Sequence, residues 1–230
     1  MHPMINNIIV YLGIPDQTVL LLLLFPLVAT LVAVLRQVIG IKAFGIYTPS
    51  IIALVFYMIS DARYDGFALG DMLYDLRYGI TIYIAVIVVG IASRAVLRHV
   101  RILYLPRVAI TMTLLSFTTL AVLVIGAYFQ RTGFATIYVF PLIVLVMIAE
   151  KFVAVQIEKG TKTAILLAVE TLVVALLGHA LLSSRAIQMF VFAHPYSVLL
   201  VIPLNIIVGK WTGLRFSEYI RFRDVLMRMK

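Results

Sequence analysis

Apolar residues are gathered into seven runs, at positions 19–35, 43–59, 78–93, 108–130, 132–149, 163–184 and 186–209, and nearly all of the charge falls between them. Six runs hold no charged residue, and 163–184 holds one, Glu170. An α-helix needs ~20 apolar residues to cross a bilayer, and inside lipid every backbone N–H and C=O must be paired within the segment. The pattern therefore predicts an all-α integral membrane protein, a bundle of seven transmembrane helices over 19–209. A short N-terminal segment, 1–18, precedes it and a basic tail, 210–230, follows. The run at 78–93 is short and reaches Leu97 if Arg94 snorkels to the head groups.

Composition agrees. Of the 230 residues, 63% are apolar and 13% charged, against roughly 45–50% and 25% in soluble domains. The absence of cysteine excludes disulfides, thiolate metal sites and a cysteine nucleophile. A formal charge of +9 raises the question of a nucleic-acid partner, and the placement of that charge answers it. With the N-terminus outside, the inner connections hold Arg36 and Lys42, then Arg94, Arg98, Arg101 and Arg107, then Lys151, Lys159 and Lys162. The tail adds Lys210, Arg215, Arg221, Arg223, Arg228 and Lys230, and only Arg63, Arg77, Arg131 and Arg185 remain outside. Fifteen basic residues against four predict an N-out, C-in orientation, which requires an odd number of crossings. The charge thus reports topology, and no nucleic acid is expected.

The outer connection at 61–75 carries four aspartates, Asp61, Asp65, Asp71 and Asp75. They lack EF-hand spacing and read as a solvated loop. The Tyr64-Asp65 and Gly70-Asp71 pairs echo intramembrane aspartyl proteases, but both lie in one polar connection rather than in two spans. No HExxH, nucleophile elbow or glycine-rich phosphate loop occurs, so the expectation is a protein that is not an enzyme and holds no cofactor or metal.

A charge at the bilayer centre costs at least ~2.5 kcal/mol on insertion scales, which singles out Glu170 as the candidate intramembrane functional residue. It can serve as a proton carrier, or as a protonated hydrogen-bonding group against a neighbouring helix such as the hydroxyl-rich fourth span. His179, nine residues on, falls on nearly the opposite side of the same helix and reads as a packing residue. Ala164, Ala168, Thr171 and Ala175 make one small-residue face on that span. Pro26, Pro49, Pro141 and Pro203 lie within runs, and Pro49, after Gly45 and between Thr48 and Ser50, is the candidate helix break. In the tail, Tyr219, Phe222, Leu226 and Met229 share one helical face with Arg221, Asp224 and Arg228 opposite, predicting an amphipathic interfacial helix on the inner leaflet.

Three segments carry a family resemblance. The first runs from Phe25 to Pro49 and contains Arg36-Gln-Val-Ile-Gly-Ile-Lys42-Ala-Phe-Gly45; the second is Phe140-Pro-Leu-Ile-Val-Leu-Val-Met-Ile-Ala-Glu150-Lys151-Phe152. The third is Gly209-Lys-Trp-Thr-Gly213-Leu-Arg-Phe-Ser-Glu218-Tyr-Ile-Arg221-Phe-Arg223. Together they resemble the bacterial seven-transmembrane domain usually fused to an inactive transglutaminase-like domain. The resemblance implies seven helices in the bacterial inner (cytoplasmic) membrane. It also implies genomic company with ATP-grasp ligases and retropepsin-like or zinc-dependent proteases, and a link to peptide-tag metabolism. Only 18 residues precede the first run, so the transglutaminase-like domain is expected on a separate chain or beyond a truncation.

The expected function is a non-enzymatic inner-membrane module that relays or scaffolds between a periplasmic, peptide-sensing transglutaminase-like partner and cytoplasmic proteins. Its inner contacts would be Arg36, Lys42, Arg98, Arg101, Glu150, Lys151, Arg221 and Arg223. The alternative is a proton-coupled transporter of a small peptide or amino-acid-like solute that uses Glu170 beside a break at Pro49.

Overall fold

The computed structural model describes residues 15–60, 76–97, 103–128 and 139–210, and the described residues contain helices and no strands. In chain order the α-helices are α1 (Asp16–Val34), α2 (Tyr47–Ile59), α3 (Arg77–Leu97), α4 (Tyr104–Tyr128), α5 (Val139–Lys159), α6 (Thr161–Ser183), α7 (Arg185–Ala193) and α8 (Val201–Gly209). A π-helical turn, Leu35–Ile39, extends α1, and a 3-10 segment, Pro195–Leu200, leads into α8. Each expected apolar run thus contains at least one helix.

Among the described residues, four segments are long and apolar enough to cross a membrane: Thr18–Ile39, Pro106–Tyr128, Phe140–Lys159 and Thr161–Ser183. Two apolar helices are shorter, Tyr47–Ile59 and Arg77–Ser93. The 13 residues of α2 reach only ~20 Å at ~1.5 Å per residue, short of the ~30 Å hydrocarbon core. The last run departs most from expectation. It is not one helix: α7 and the stretch Pro195–Gly209 meet at an angle of 102°. The physical reason is the His194-Pro195 pair, because a proline disfavours helical backbone in the residue before it. His194 accordingly leaves the helix at φ −129°, ψ 69°.

Two further boundaries move. The second run was expected to be helical from residue 43, yet α2 begins at Tyr47, so Pro49 lies in a first helical turn. There its missing N–H has no helical partner to lose, and the break expected at Pro49 is a helix start. The fifth run was expected to end at residue 149, but α5 continues to Lys159, placing Glu150 and Lys151 on the exposed side of a continuous helix. The amphipathic helix expected in the tail, with Arg221 and Arg223, lies outside the described residues, as do Arg98 and Arg101.

The chain forms two compact units. The second, Val55–Leu172, is built on α3, α4 and α5, each packed on the other two. Close approach is set by missing side-chain volume: a Cβ on Gly90 of α3 would lie 2.9 Å from Cδ1 of Phe152, a fully buried ring on α5. Tyr83 of α3 donates its hydroxyl to the Ala168 carbonyl of α6 at 3.0 Å and meets Phe56 edge-on. The hydroxyls of Thr111, Thr113, Thr118 and Thr119 each donate to a carbonyl four residues back in α4. They are satisfied as donors within their own helix. Phe117, Leu120, Val124, Ile125 and Tyr128 of α4 are exposed, as expected of a helix whose solvent is lipid.

The first unit, Met1–Leu54 with Val173–Lys230, is organised on α1, against which α7, the Pro195–Leu200 segment and α8 all pack. At Gly178 of α6 three helices converge: a Cβ there would lie 2.8 Å from Cβ of Ala53 in α2 and 3.0 Å from Cγ1 of Val28 in α1. Ala164, Ala168, Thr171 and Ala175 are all buried, so the small-residue face of α6 is its packed face.

Candidate functional site

Within the first unit, polar side chains of α1 and α8 form a seam. It starts where Pro26 lacks an amide to bond the preceding turn of α1. One turn on, the Thr30 hydroxyl donates to the Pro26 carbonyl at 2.8 Å. That hydroxyl oxygen also accepts from Nδ2 of Asn205 in α8 at 2.7 Å, and the second amide proton of Asn205 goes to the Val201 carbonyl at 2.9 Å. Both amide protons are therefore used, and Thr30 is buried. In hydrocarbon such a pair has no water to compete with it, and it fixes α8 at one register on α1.

The direction of α8 follows. It touches α1 and also Leu35–Ile39, the last turn of the first span, whereas the Pro195–Leu200 segment touches Asp16–Val34. With Asn205 level with Thr30, the last segment runs parallel to the first and ends beside it, at Lys210. The first span closes in a π-helical turn, a deviation that often marks functional sites. The amides of Gly40 and Ile41 both bond the Leu35 carbonyl, and Gly40 takes the left-handed φ of 90°. Ala43 and Phe44 fold back into the protein, Lys42 stays exposed, and Gly45 at φ 77° turns the chain into α2. Ser50 there is buried and donates to the Ile46 carbonyl at 2.9 Å. The basic residues Arg36 and Lys42 thus border one compact turn, with the end of α8 against it.

His179 is a separate buried polar group on α6. It is 2% exposed on the packed face of α6, one residue after the three-helix junction. Its Nε2 lies 3.2 Å from the Ser183 hydroxyl, while its Nδ1 has no hydrogen-bond partner. Gln188 of α7 donates to the Leu182 carbonyl at 2.6 Å, tying α7 back onto the end of α6.

Of the residues singled out in the sequence, Glu170 lies half-buried on α6 in the second unit, flanking the small-residue face, while Pro49 is buried in the first. The two belong to different units. Asn205, Thr30 and the His194-Pro195 elbow escaped the sequence reading. The signal for Asn205 was an amide inside an uncharged run, and for the elbow a proline near the middle of the last run. No group of three or more His, Cys, Asp or Glu side chains able to hold a metal occurs among the described residues.

The family described as seven transmembrane helices usually fused to an inactive transglutaminase matches residues 1–226. The chain belongs to that family. No curated protein and no solved structure matches it. As a member of the seven-transmembrane, transglutaminase-associated family it is a multi-pass membrane protein. The run from Arg36 to Gly45 forms most of the π-helical turn and the return that follows it.

Proposed function

We propose that this chain is a non-enzymatic module of the bacterial inner membrane that couples a transglutaminase-like, peptide-sensing domain on the periplasmic side to proteins in the cytoplasm. Seven spans, with the N-terminus outside and the tail inside, are part of the proposal. The observation that carries it is the parallel pairing of the first and last segments through Asn205 and Thr30. The first span is the one an outer domain preceding it would act on. Its partner α8 leads directly into the basic tail, and both end beside Arg36 and Lys42. A shift of the first span is thereby handed to the inner surface. The proposed inner contacts are Arg36, Lys42, Arg98, Arg101, Glu150, Lys151, Arg221 and Arg223, and the proposed partners are the ATP-grasp ligase and the retropepsin-like protease of a peptide-tag system.

Photo-crosslinking from position 42 or 223 to the co-expressed ligase and protease tests this reading. Adducts that form with the wild-type seam and weaken with Asn205→Ala support the relay. Adducts absent at every inner position overturn it.

The transport alternative keeps one support, a carboxyl within the candidate span Thr161–Ser183, and loses the helix break that was to lie beside it. Glu170→Gln separates the two. Loss of proton-dependent peptide uptake in proteoliposomes with partner crosslinks intact favours the carrier, and a silent substitution without measurable flux removes it.

A further inference from the structure

The sharp turn at His194-Pro195 can belong to a re-entrant loop that dips into the bilayer and returns, or to a span preceded by a helix lying flat. The clasp to α1 decides between them. From Asn205 back to Pro195 the chain climbs ~6 Å in α8 at ~1.5 Å per residue and ~12 Å in the 3-10 segment at ~2.0 Å per residue. On α1 the same ~18 Å corresponds to ~12 residues above Thr30 at ~1.5 Å per residue. That level is Thr18, where the apolar span of α1 begins. The elbow therefore stands at the membrane surface on the side where α1 starts, and Pro195–Gly209 descends ~25 Å beside it at the same rises per residue. Because α7 turns away by 102°, it lies in the plane of that surface, ~13 Å long at ~1.5 Å per residue.

The inner side of this elbow is an open cleft of about 610 Å³ lined by Phe190, Ala193, His194, Pro195, Tyr196, Ser197 and Leu200. Its chemistry is divided. His194 and Ser197 offer an imidazole and a hydroxyl, whereas Phe190, Tyr196 and Leu200 are large, mostly apolar and well exposed. The Phe190 ring lies against the imidazole of His194, with centroids 5.4 Å apart. Tyrosine is favoured at head-group depth, where one end of the ring is wet and the other dry. Arg185 is exposed at the first residue of the same in-plane helix and supplies a cation at that level.

A polar corner next to an aromatic and aliphatic wall, set where head groups meet acyl chains, matches an amphiphile. We infer that α7 is an in-plane interfacial helix and that the cleft at its elbow seats one phospholipid of that leaflet, head group towards His194 and Ser197, acyl chain along Phe190 and Leu200.

Two measurements on the full chain test the inference. Depth is read by moving the single tryptophan onto the exposed face of α7, Trp211→Phe with Met189→Trp, and placing the protein in vesicles of phosphatidylethanolamine and phosphatidylglycerol carrying nitroxides at the head group or deep in the acyl chain. Stronger quenching by the head-group label is expected, and stronger quenching by the deep label restores the re-entrant loop and overturns the flat helix. Occupancy is read by native mass spectrometry of the protein extracted from the same lipids, comparing wild type with His194→Ala/Ser197→Ala. At least a threefold loss of retained phospholipid is expected, and Phe190→Ala, which leaves the polar corner in place, should weaken retention in the same direction. Equal retention in all three proteins overturns the lipid seat. So does saturable binding of a short peptide, in lipid-free detergent, that His194→Ala/Ser197→Ala abolishes.

Discussion

Gly178→Ala is the most exacting probe of the helix junction in the first unit. The added methyl would stand 2.8 Å from Cβ of Ala53 and 3.0 Å from Cγ1 of Val28. Neither atom can swing away: the Ala53 methyl is fixed to its backbone, and a valine in a helix is held to essentially one rotamer. Normal carbon contact at ~3.5–4.0 Å requires α2 or α1 to retreat by most of an ångström. Overpacking of this kind costs about 1–3 kcal/mol, while replacing glycine by alanine within a helix returns about 1 kcal/mol. The net expectation is a destabilisation of about 1 kcal/mol, lowering the melting temperature by about 2–4 °C in a chain of this size. Thermal unfolding in detergent, followed by circular dichroism, reads this directly. Ala53→Gly removes the opposing methyl, so the double variant should recover a substantial part of the loss, with the two changes coupling as contacting residues do. Stabilisation by Gly178→Ala, or strict additivity with Ala53→Gly, would refute the close approach of the three helices.

Three other outcomes follow from the same geometry. In a double-mutant cycle, Thr30→Ala and Asn205→Ala should couple by about 0.6 to 2 kcal/mol, the range for hydrogen bonds between membrane helices, and zero coupling would mean the seam does not set register. Replacing Pro49 by Ala should change stability by less than about 1 kcal/mol, whereas removal of a true helix-interior proline would stabilise by about 3 kcal/mol. Gly45→Ala meets no neighbouring atom, so its expected cost is the backbone term alone, about 1–2 kcal/mol, with Gly45→Asn costing less.

What was legible in the sequence was what hydropathy measures. The long apolar runs mark the helices, and the spacing of Ala164, Ala168, Thr171 and Ala175 marks the packed face of α6, because both properties are local and periodic. Where α2 starts was not legible from apolarity, since the stretch from Ala43 to Ile46 is itself apolar and packs Ala43 and Phe44 inside. A buried turn and a buried helix then read alike, and only Gly40 and Gly45 distinguish them. Hydropathy is also blind to chain direction, so one run concealed the right angle at His194-Pro195. The Asn205–Thr30 bond joins residues 175 positions apart and obeys no local rule. His179 was read as a packing residue on the side of the helix away from Glu170, and it lies on the buried face.

The relay requires the paired segments to end together on the inner side of the membrane. The chain has no cysteine, so Lys42→Cys, Arg185→Cys and Lys210→Cys can each be probed alone in intact cells with a membrane-impermeant maleimide. The pairing of α1 with α8 and the distribution of basic residues predict labelling of position 185 from outside and of positions 42 and 210 only after permeabilisation. Labelling of position 210 in intact cells, with position 42 protected, would contradict the parallel pairing and the relay built on it.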